Sequence, residues 1–502
     1  MMQTTQQVFE SRAAGILMPV SSLPANYGIG SFGKAAYQWV DFLHKAGQTY
    51  WQVLPLGPTG FGDSPYQSFS AFAGNPYFID LDLLCADGLL TKAECEAVNW
   101  GQNTEKVDYA TLFKHREPLL RKAFSRFKNY AALEKFRKEN AAWVEDYALY
   151  MAVKEKMGLR PWPQWEQAIR LRQPQATRHW QQQEANNITY TIFVQYLFYS
   201  QWQALKQYAN GKGVYIIGDI PIYVAMDSAD TWAHSELFLL DENKNPVEVA
   251  GCPPDGFSAD GQLWGNPLYN WQVMRQNGYA WWVARLRASL TMYDVLRIDH
   301  FRGFESYYAI PASAKTAVEG EWRKGPGMQF IGEVNRQLGK ANIIAEDLGY
   351  LTDDVRALLR QSGYPGMKVL QFAFDTREDS DYLAHNYERN CVVYTGTHDN
   401  DTTHGWFENA LPDDVALAKE YLNIHNADEG CWCFIRAAMG SVARIAIIPL
   451  QDYLNLGSEA RMNTPATIGG NNWRWRANGA ALTEELAAKI ARLTKLYGRK
   501  RI

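Results

Sequence analysis

The chain of 502 residues is poor in cysteine, poor in histidine and nearly neutral, and each shortage removes a class of function. Its six cysteines, at positions 85, 95, 252, 391, 431 and 433, fit neither a zinc-ligand spacing nor the framework of a disulfide-stapled secreted domain. Cys431-Trp-Cys433 is too short for a redox C-x-x-C and reads as a buried pair. The nine histidines offer one cluster, His398, Asp399, Asp401 and His404. Its members stand too close in sequence for a helical ligand pair, and no second cluster closes a tetrahedron. Neither a metal nor another cofactor is therefore expected. A net charge of −4 with no basic stripe argues against nucleic acid as a partner. No run approaches the roughly 18 apolar residues of a membrane span. The segment Met1 to Glu10 has neither a basic start nor an apolar stretch, so it does not read as a signal peptide. Reduced thiols in a cytoplasm are the expectation.

What the chain has in plenty is aromatic surface, with 18 Trp, 28 Tyr and 22 Phe. Aromatic faces stack on the apolar faces of sugars, while indole N–H and phenol O–H groups supply a polar contact beside them. Most such rings fill cores in any fold, so composition raises sugar binding without deciding it. Gly28-Ile-Gly-Ser-Phe-Gly33 matches a dinucleotide fingerprint. It begins well past the strand before it, with Ser21, Ser22 and Pro24 between, so the tight strand-to-helix turn is missing. These glycines instead read as shaping a loop at the border of a cleft.

Eight short apolar runs read as strands: 15–20, 50–55, 214–219, 294–298, 342–345, 367–372, 391–394 and 442–449. Helical periodicity covers 33–46, 271–291, 352–362 and 484–497. The predicted class is α/β, a single catalytic (β/α)8 TIM barrel over 1–502, with a doubly wound open sheet as the alternative. Two intervals exceed a simple crossover. Residues 84–210 read as a helical insertion, and residues 227–275, rich in Gly, Pro and Trp, as a loop-rich insertion lining the active site.

Three runs end in carboxylates: Asp299 after Asp294-Val-Leu-Arg-Ile, Glu346 after Asn342-Ile-Ile-Ala, and Asp399 after Cys391-Val-Val-Tyr-Thr-Gly-Thr-His. Barrel enzymes place catalytic groups at the carboxyl ends of their strands. Any one of these acids could be a helix N-cap. Three together suit glycoside chemistry, in which one attacks, one shuttles a proton and one stabilises an oxocarbenium-like charge. Arg297, on the same strand face as Asp299, would keep it ionised. Glu346 must start protonated, raised by burial and neighbouring negative charge.

Candidate sugar contacts surround the acids. Asp63, Ser64, Tyr66 and Gln67 follow the second strand on turns set by Gly and Pro. Asp219 ends the third strand, either to bond sugar hydroxyls or to orient Arg297. The loop 252–267 brings Asp255, Phe257, Trp264 and Asn266; for Phe257 a loop packed on itself is an equal reading. His300, Phe372, His398 and Asn400 flank other strand ends.

These segments together resemble the 4-α-glucanotransferases, the amylomaltases or disproportionating enzymes of the α-amylase clan. The likeness is carried by residues 61–70, 218–222, 263–269, Arg297-Ile-Asp-His-Phe-Arg-Gly303, Ala345-Glu-Asp-Leu-Gly349 and Thr397-His-Asp-Asn400. Arg461-Met-Asn-Thr-Pro465 and Asn472-Trp-Arg-Trp-Arg476 extend it, and it runs from about residue 13 to 500. The resemblance implies a retaining transfer of α-1,4-glucan segments without a cofactor, on malto-oligosaccharides, amylose and glycogen- or starch-derived glucans. It implies Asp299 as nucleophile, Glu346 as general acid/base and Asp399 as transition-state stabiliser, and it adds Asn472 to the sugar contacts. Where some members carry a Tyr in an outer glucan site, this chain has Phe61, which keeps the ring without the hydroxyl. An α-glucan hydrolase of the same clan shares the chemistry until water or sugar attacks. A non-catalytic glucan-binding module would have no need of three strand-end acids.

Overall fold

The computed structural model describes residues 9–60, 62–101, 103–254, 259–349, 351–377, 379–426 and 429–499. All eight apolar runs form strands: β1 (Ala13–Leu17), β2 (Tyr50–Gln52), β3 (Tyr215–Pro221), β6 (Val295–Asp299), β9 (Ile343–Ala345), β10 (Gly366–Val369), β11 (Cys391–Tyr394) and β12 (Ile445–Pro449). They pair in parallel in the order β10-β11-β12-β1-β2-β3-β6-β9. Nearly every residue in them is buried, as a strand between a packed interior and an outer layer of helices requires. Between β9 and β10 the barrel is nearly closed without a regular ladder. Ala345 N–H donates to the Pro365 carbonyl at 3.0 Å, and Met367 N–H donates to Asp347 Oδ1 at 2.6 Å. An acidic side chain there takes the place of a backbone acceptor.

The expected helices are present, with one break. The pattern over 271–291 divides into Trp271–Gln276 and Ala280–Met292, because Tyr279 takes a left-handed conformation at φ 54°. The glycines of the Gly28–Gly33 segment serve close packing. A Cβ on Gly30 would fall 1.7 Å from the Val20 carbonyl, and one on Gly33 would fall 2.0 Å from the Asp80 carboxylate.

Two stretches outside the barrel hold its upper loops. Within 84–210 run α1 (Tyr109–Arg126), α2 (Val144–Lys156) and α3 (Ala185–Gly211). Gln195 of α3, fully buried, accepts from Gly74 N–H at 2.7 Å and donates to Gly74 O at 3.0 Å. Gln201 does the same for Asp80, and Tyr199 O–H donates to the Phe72 carbonyl at 2.5 Å. The second stretch is more regular than its Gly- and Pro-rich composition suggests. It contains β4 (Glu248–Cys252) and β5 (Gln262–Pro267), which join β7 (Ser306–Pro311) and β8 (Glu321–Lys324) in an antiparallel sheet of order β5-β4-β7-β8.

The floor of the barrel is tied by Arg499, which is fully buried. It donates to the carbonyls of Ala13 at 2.9 Å, Met439 at 2.8 Å and Ala443 at 3.0 Å. These carbonyls have lost water, and leaving one unmet costs about 1–3 kcal/mol. Arg12 also donates to the Met439 and Ala443 carbonyls, so Arg499→Met is expected to destabilise the chain by about 1–3 kcal/mol through the loss of its own bonds. The melting temperature should fall by several degrees while KM for glucan stays near wild type; an unchanged melt would contradict this role.

Candidate active site

The site is built where β3, β6, β9 and β11 end. In the paired strands β3 and β6, Asp219 lies opposite Arg297. Side chains two residues apart on a strand share a face, so Asp299 follows Arg297 to the same side. Arg297 Nη1 donates to Asp219 Oδ2 at 2.6 Å and Nη2 donates to Asp299 Oδ1 at 2.8 Å. Tyr66 O–H also donates to Asp219 Oδ2, at 2.8 Å. Of the two functions considered for Asp219, orienting Arg297 is the one these bonds display.

Glu346 stands one residue beyond β9. Ile298 pairs with Ala345, so Asp299 and Glu346 leave neighbouring strands at the same level. Glu346 Oε2 accepts from His300 N–H at 2.6 Å, and Oε1 accepts from Leu348 N–H at 2.7 Å. Burial first, then the charge of Asp299, pushes the Glu346 carboxyl up to about 8, against those two N–H bonds and Arg297. Burial also raises Asp299, and the Arg297 guanidinium pulls it back. The proton the pair retains near neutrality therefore belongs on Glu346. His300 is held neutral, lowered to about 3 by burial and by Arg302. Its φ of 55° is unusual for a residue with a side chain and costs of order 1 kcal/mol.

Asp399 follows β11 and is held from the far end of the chain. Asn463 Nδ2 donates to Asp399 Oδ1 at 2.6 Å, and Arg461 Nη2 donates to its backbone carbonyl at 2.7 Å. His398 Nε2 lies 3.4 Å from Asp399 Oδ2, and its ring stacks on Tyr66 at 5.1 Å. Asn400 Oδ1 accepts from both the N–H and the hydroxyl of Thr397, which closes the loop. The Asp299 and Asp399 side chains are 31% and 43% exposed, so both open toward a ligand, while Glu346 as a residue is only 8% exposed.

The remaining candidates fall into two sets. Trp264 meets His300 edge-to-face at 4.8 Å, and Asn266 ties the neighbouring loops by donating to Val224 O at 2.8 Å. Asp63, Ser64, Phe372 and Asn472 make contacts away from the three acids. Asp63 is raised by burial and has φ 60°, and Ser64 accepts from Tyr66 N–H. Phe372 meets Tyr382 edge-to-face. Asn472 accepts from Thr464 N–H and donates to Thr467, bracing its own loop. Asp255, Phe257 and Phe61 lie outside the described residues.

The family described as 4-alpha-glucanotransferase matches residues 18–483. The chain belongs to that family. It is 49% identical over 486 residues to a 4-alpha-glucanotransferase of Clostridium butyricum, across 96% of this chain and 100% of the relative. To a 4-alpha-glucanotransferase of Thermus thermophilus it is 48% identical over 492 residues, across 95% and 97%. Its fold is similar to the amylomaltase of Streptococcus agalactiae solved in complex with acarbose, with TM-score 0.95 at 43% identity, covering 98% and 100% of the two chains.

In this member of the family, Arg461 and Asn463 bond Asp399 and Trp473 packs beside its neighbour His398, although no strand-end or spacing pattern marked them. Trp473 packs against both Tyr66 and His398. All three come from irregular segments with no strand end nearby, and their likeness to the family was the one signal available.

The Glu346 carboxyl generates a prediction with a definite sign. Its folded value, about 8, exceeds the 4.5 of an exposed glutamate. Between those values the folded chain binds more protons than the unfolded one, so this group's contribution to stability falls as pH rises. Glu346→Gln should remove that slope and melt higher than wild type above about pH 8. Parallel melting curves of wild type and variant from pH 5 to pH 9 would contradict it, while wild-type kcat/KM should decline as pH passes about 8.

Proposed function

We propose that this transferase moves segments of α-1,4-glucan to the 4-hydroxyl of an acceptor glucan or of glucose by double displacement. Malto-oligosaccharides, amylose and glycogen- or starch-derived glucans are the proposed substrates. The observation that carries this reading is the division between two neighbouring carboxyls, Asp299 bonded to Arg297 and Glu346 kept protonated by burial. Glu346 gives its proton to the glycosidic oxygen as the bond from that oxygen to C1 breaks. Asp299 attacks C1, and a glycosyl ester forms with the configuration inverted. The acceptor hydroxyl then loses its proton to the Glu346 carboxylate, attacks C1 and expels Asp299, restoring the α configuration. Asp399 is assigned the stabilisation of positive charge that develops at both transition states.

Tyr66, Trp264, His300 and His398 are proposed to line the donor sugar, supported by their contacts with the acids or with one another. The chain is read as one catalytic unit in which 84–210 and 227–275 are insertions over the catalytic face, supported by the bonds of α3 to Phe72, Gly74 and Asp80. A reducing, cytoplasmic setting completes the reading. The six cysteines support it by matching no disulfide framework of a secreted domain.

Pure maltotriose is expected to yield glucose and a ladder of longer chains with no net gain in reducing ends. A steady rise in reducing ends without longer products would identify hydrolysis instead. Asp299→Asn should abolish turnover by removing the attacking oxygen, and wild-type turnover in that variant, with deamidation excluded, would end the nucleophile assignment.

A further inference from the structure

The N–H that meets Glu346 Oε2 belongs to His300, whose left-handed backbone persists only if its surroundings impose it. The next residue binds the same glutamate again, with Phe301 N–H donating to Glu346 O at 3.0 Å. The turn after β6 therefore sets the direction of the acid's carboxyl. Within the turn, Gly303 N–H donates to His300 O at 3.0 Å and Glu305 N–H donates to Arg302 O at 2.8 Å. Phe301 and Phe304 bury the inner side of the turn against Trp282, Phe330 and Tyr364, and its outer support comes from the small sheet.

That support is β8 and the residue after it. Gly325 N–H donates to Glu305 O at 2.7 Å, and Lys324 pairs with the Glu305 carboxylate. Arg302 is buried, yet its guanidinium carbon lies only 3.9 Å from the centre of the Trp322 ring, while Nη2 donates to Ser306 Oγ at 3.3 Å. Trp322 itself is 41% exposed in an edge strand with mostly exposed residues. Tyr308, paired with it across β7 and β8, meets its ring edge-to-face at 5.2 Å. A tryptophan so exposed contributes little to a core, and its face contact is with Arg302. A planar guanidinium lies flat on an indole in a way an ammonium cannot reproduce.

We propose that Trp322 and Arg302 are positioning residues for proton transfer: their stack anchors the turn after the nucleophile strand and so aims the Glu346 carboxyl. The inference rests on the reading of Glu346 as acid/base given above. Neither residue is assigned a contact with substrate.

Two assays isolate proton transfer. With maltotriose, departure and attack both need Glu346. With α-maltosyl fluoride as donor and azide as acceptor, fluoride leaves without a proton and azide attacks C1 without giving one up. Trp322→Leu and Arg302→Gln are expected to lose about tenfold or more of kcat on maltotriose, a share of the roughly 10²–10⁴ that general acid–base catalysis supplies. KM should stay within about twofold and the fluoride–azide rate within about threefold, since neither depends on aiming a proton. Trp322→Phe keeps an aromatic face and should recover most of the lost rate, whereas Arg302→Lys should not. Glu346→Gln, measured alongside, must show the same split more strongly; if it does not, the acid/base reading itself has failed. If Glu346→Gln shows the split but Trp322→Leu and Arg302→Gln lose both assays equally, or lose neither, the positioning proposal is overturned.

Discussion

Arg297 is buried, and it meets two carboxylates at once, Asp219 at 2.6 Å and Asp299 at 2.8 Å. A charge removed from water is tolerated only when it is paired and its donors are met, and taking away one partner leaves the others uncompensated. Asp219 is fully buried as well, so its charge is acceptable only beside this guanidinium and the Tyr66 hydroxyl. The arrangement is a consequence of strand pairing. Asp219 and Arg297 are opposite residues of neighbouring parallel strands, and no loop has to fold correctly before they meet. The nucleophile candidate inherits its position from that pair.

The same charges separate two carboxyls that sequence alone would treat as similar. Asp299 is bonded to the guanidinium and partly open, while Glu346 is deeper and feels the negative charge beside it. Groups this strongly coupled titrate as a pair, and their environments determine which of them holds the proton. At Glu346 the backbone N–H bonds from His300 and Leu348 favour the anion, yet burial outweighs them. Those N–H groups contribute direction, holding each oxygen of the acid by one bond.

What the sequence discloses follows burial. Barrel strands are covered on both faces, so each is a continuous apolar run and all eight are visible. The second sheet is buried in its inner strands β4 and β7 but open along its edge strands β5 and β8. β8 reads Glu-Trp-Arg-Lys, and β5 carries Gly265 at φ 76° next to the extended residues it joins. Neither makes an apolar run, and each is completed only by pairing with the strand before it, β5 with β4 and β8 with β7. The three acids are legible because a strand end marks each. Asn463 and Arg461, which hold Asp399, lie in an irregular segment with no such mark. Asn472 has suitable chemistry for sugar, but its amide is engaged by Thr464 and Thr467, a pairing that only the folded turn reveals.

The barrel strands fix where the catalytic chain emerges; they do not fix which way the emerging loops point. Loop backbones carry N–H and C=O groups that need partners, and whichever element supplies those partners orients the loop. On one side the supplier is α3, where Gln195 and Gln201 present buried amides that match a backbone donor and acceptor at Gly74 and Asp80. On the other it is the edge of the small sheet, where Gly325 and Ser306 meet the turn that follows Asp299. Sequence outside the barrel is thus physically part of the site although most of it touches no acid. A left-handed His300 is tolerable because its turn is over-determined by these bonds, and the strain it holds is the condition for its N–H to face Glu346.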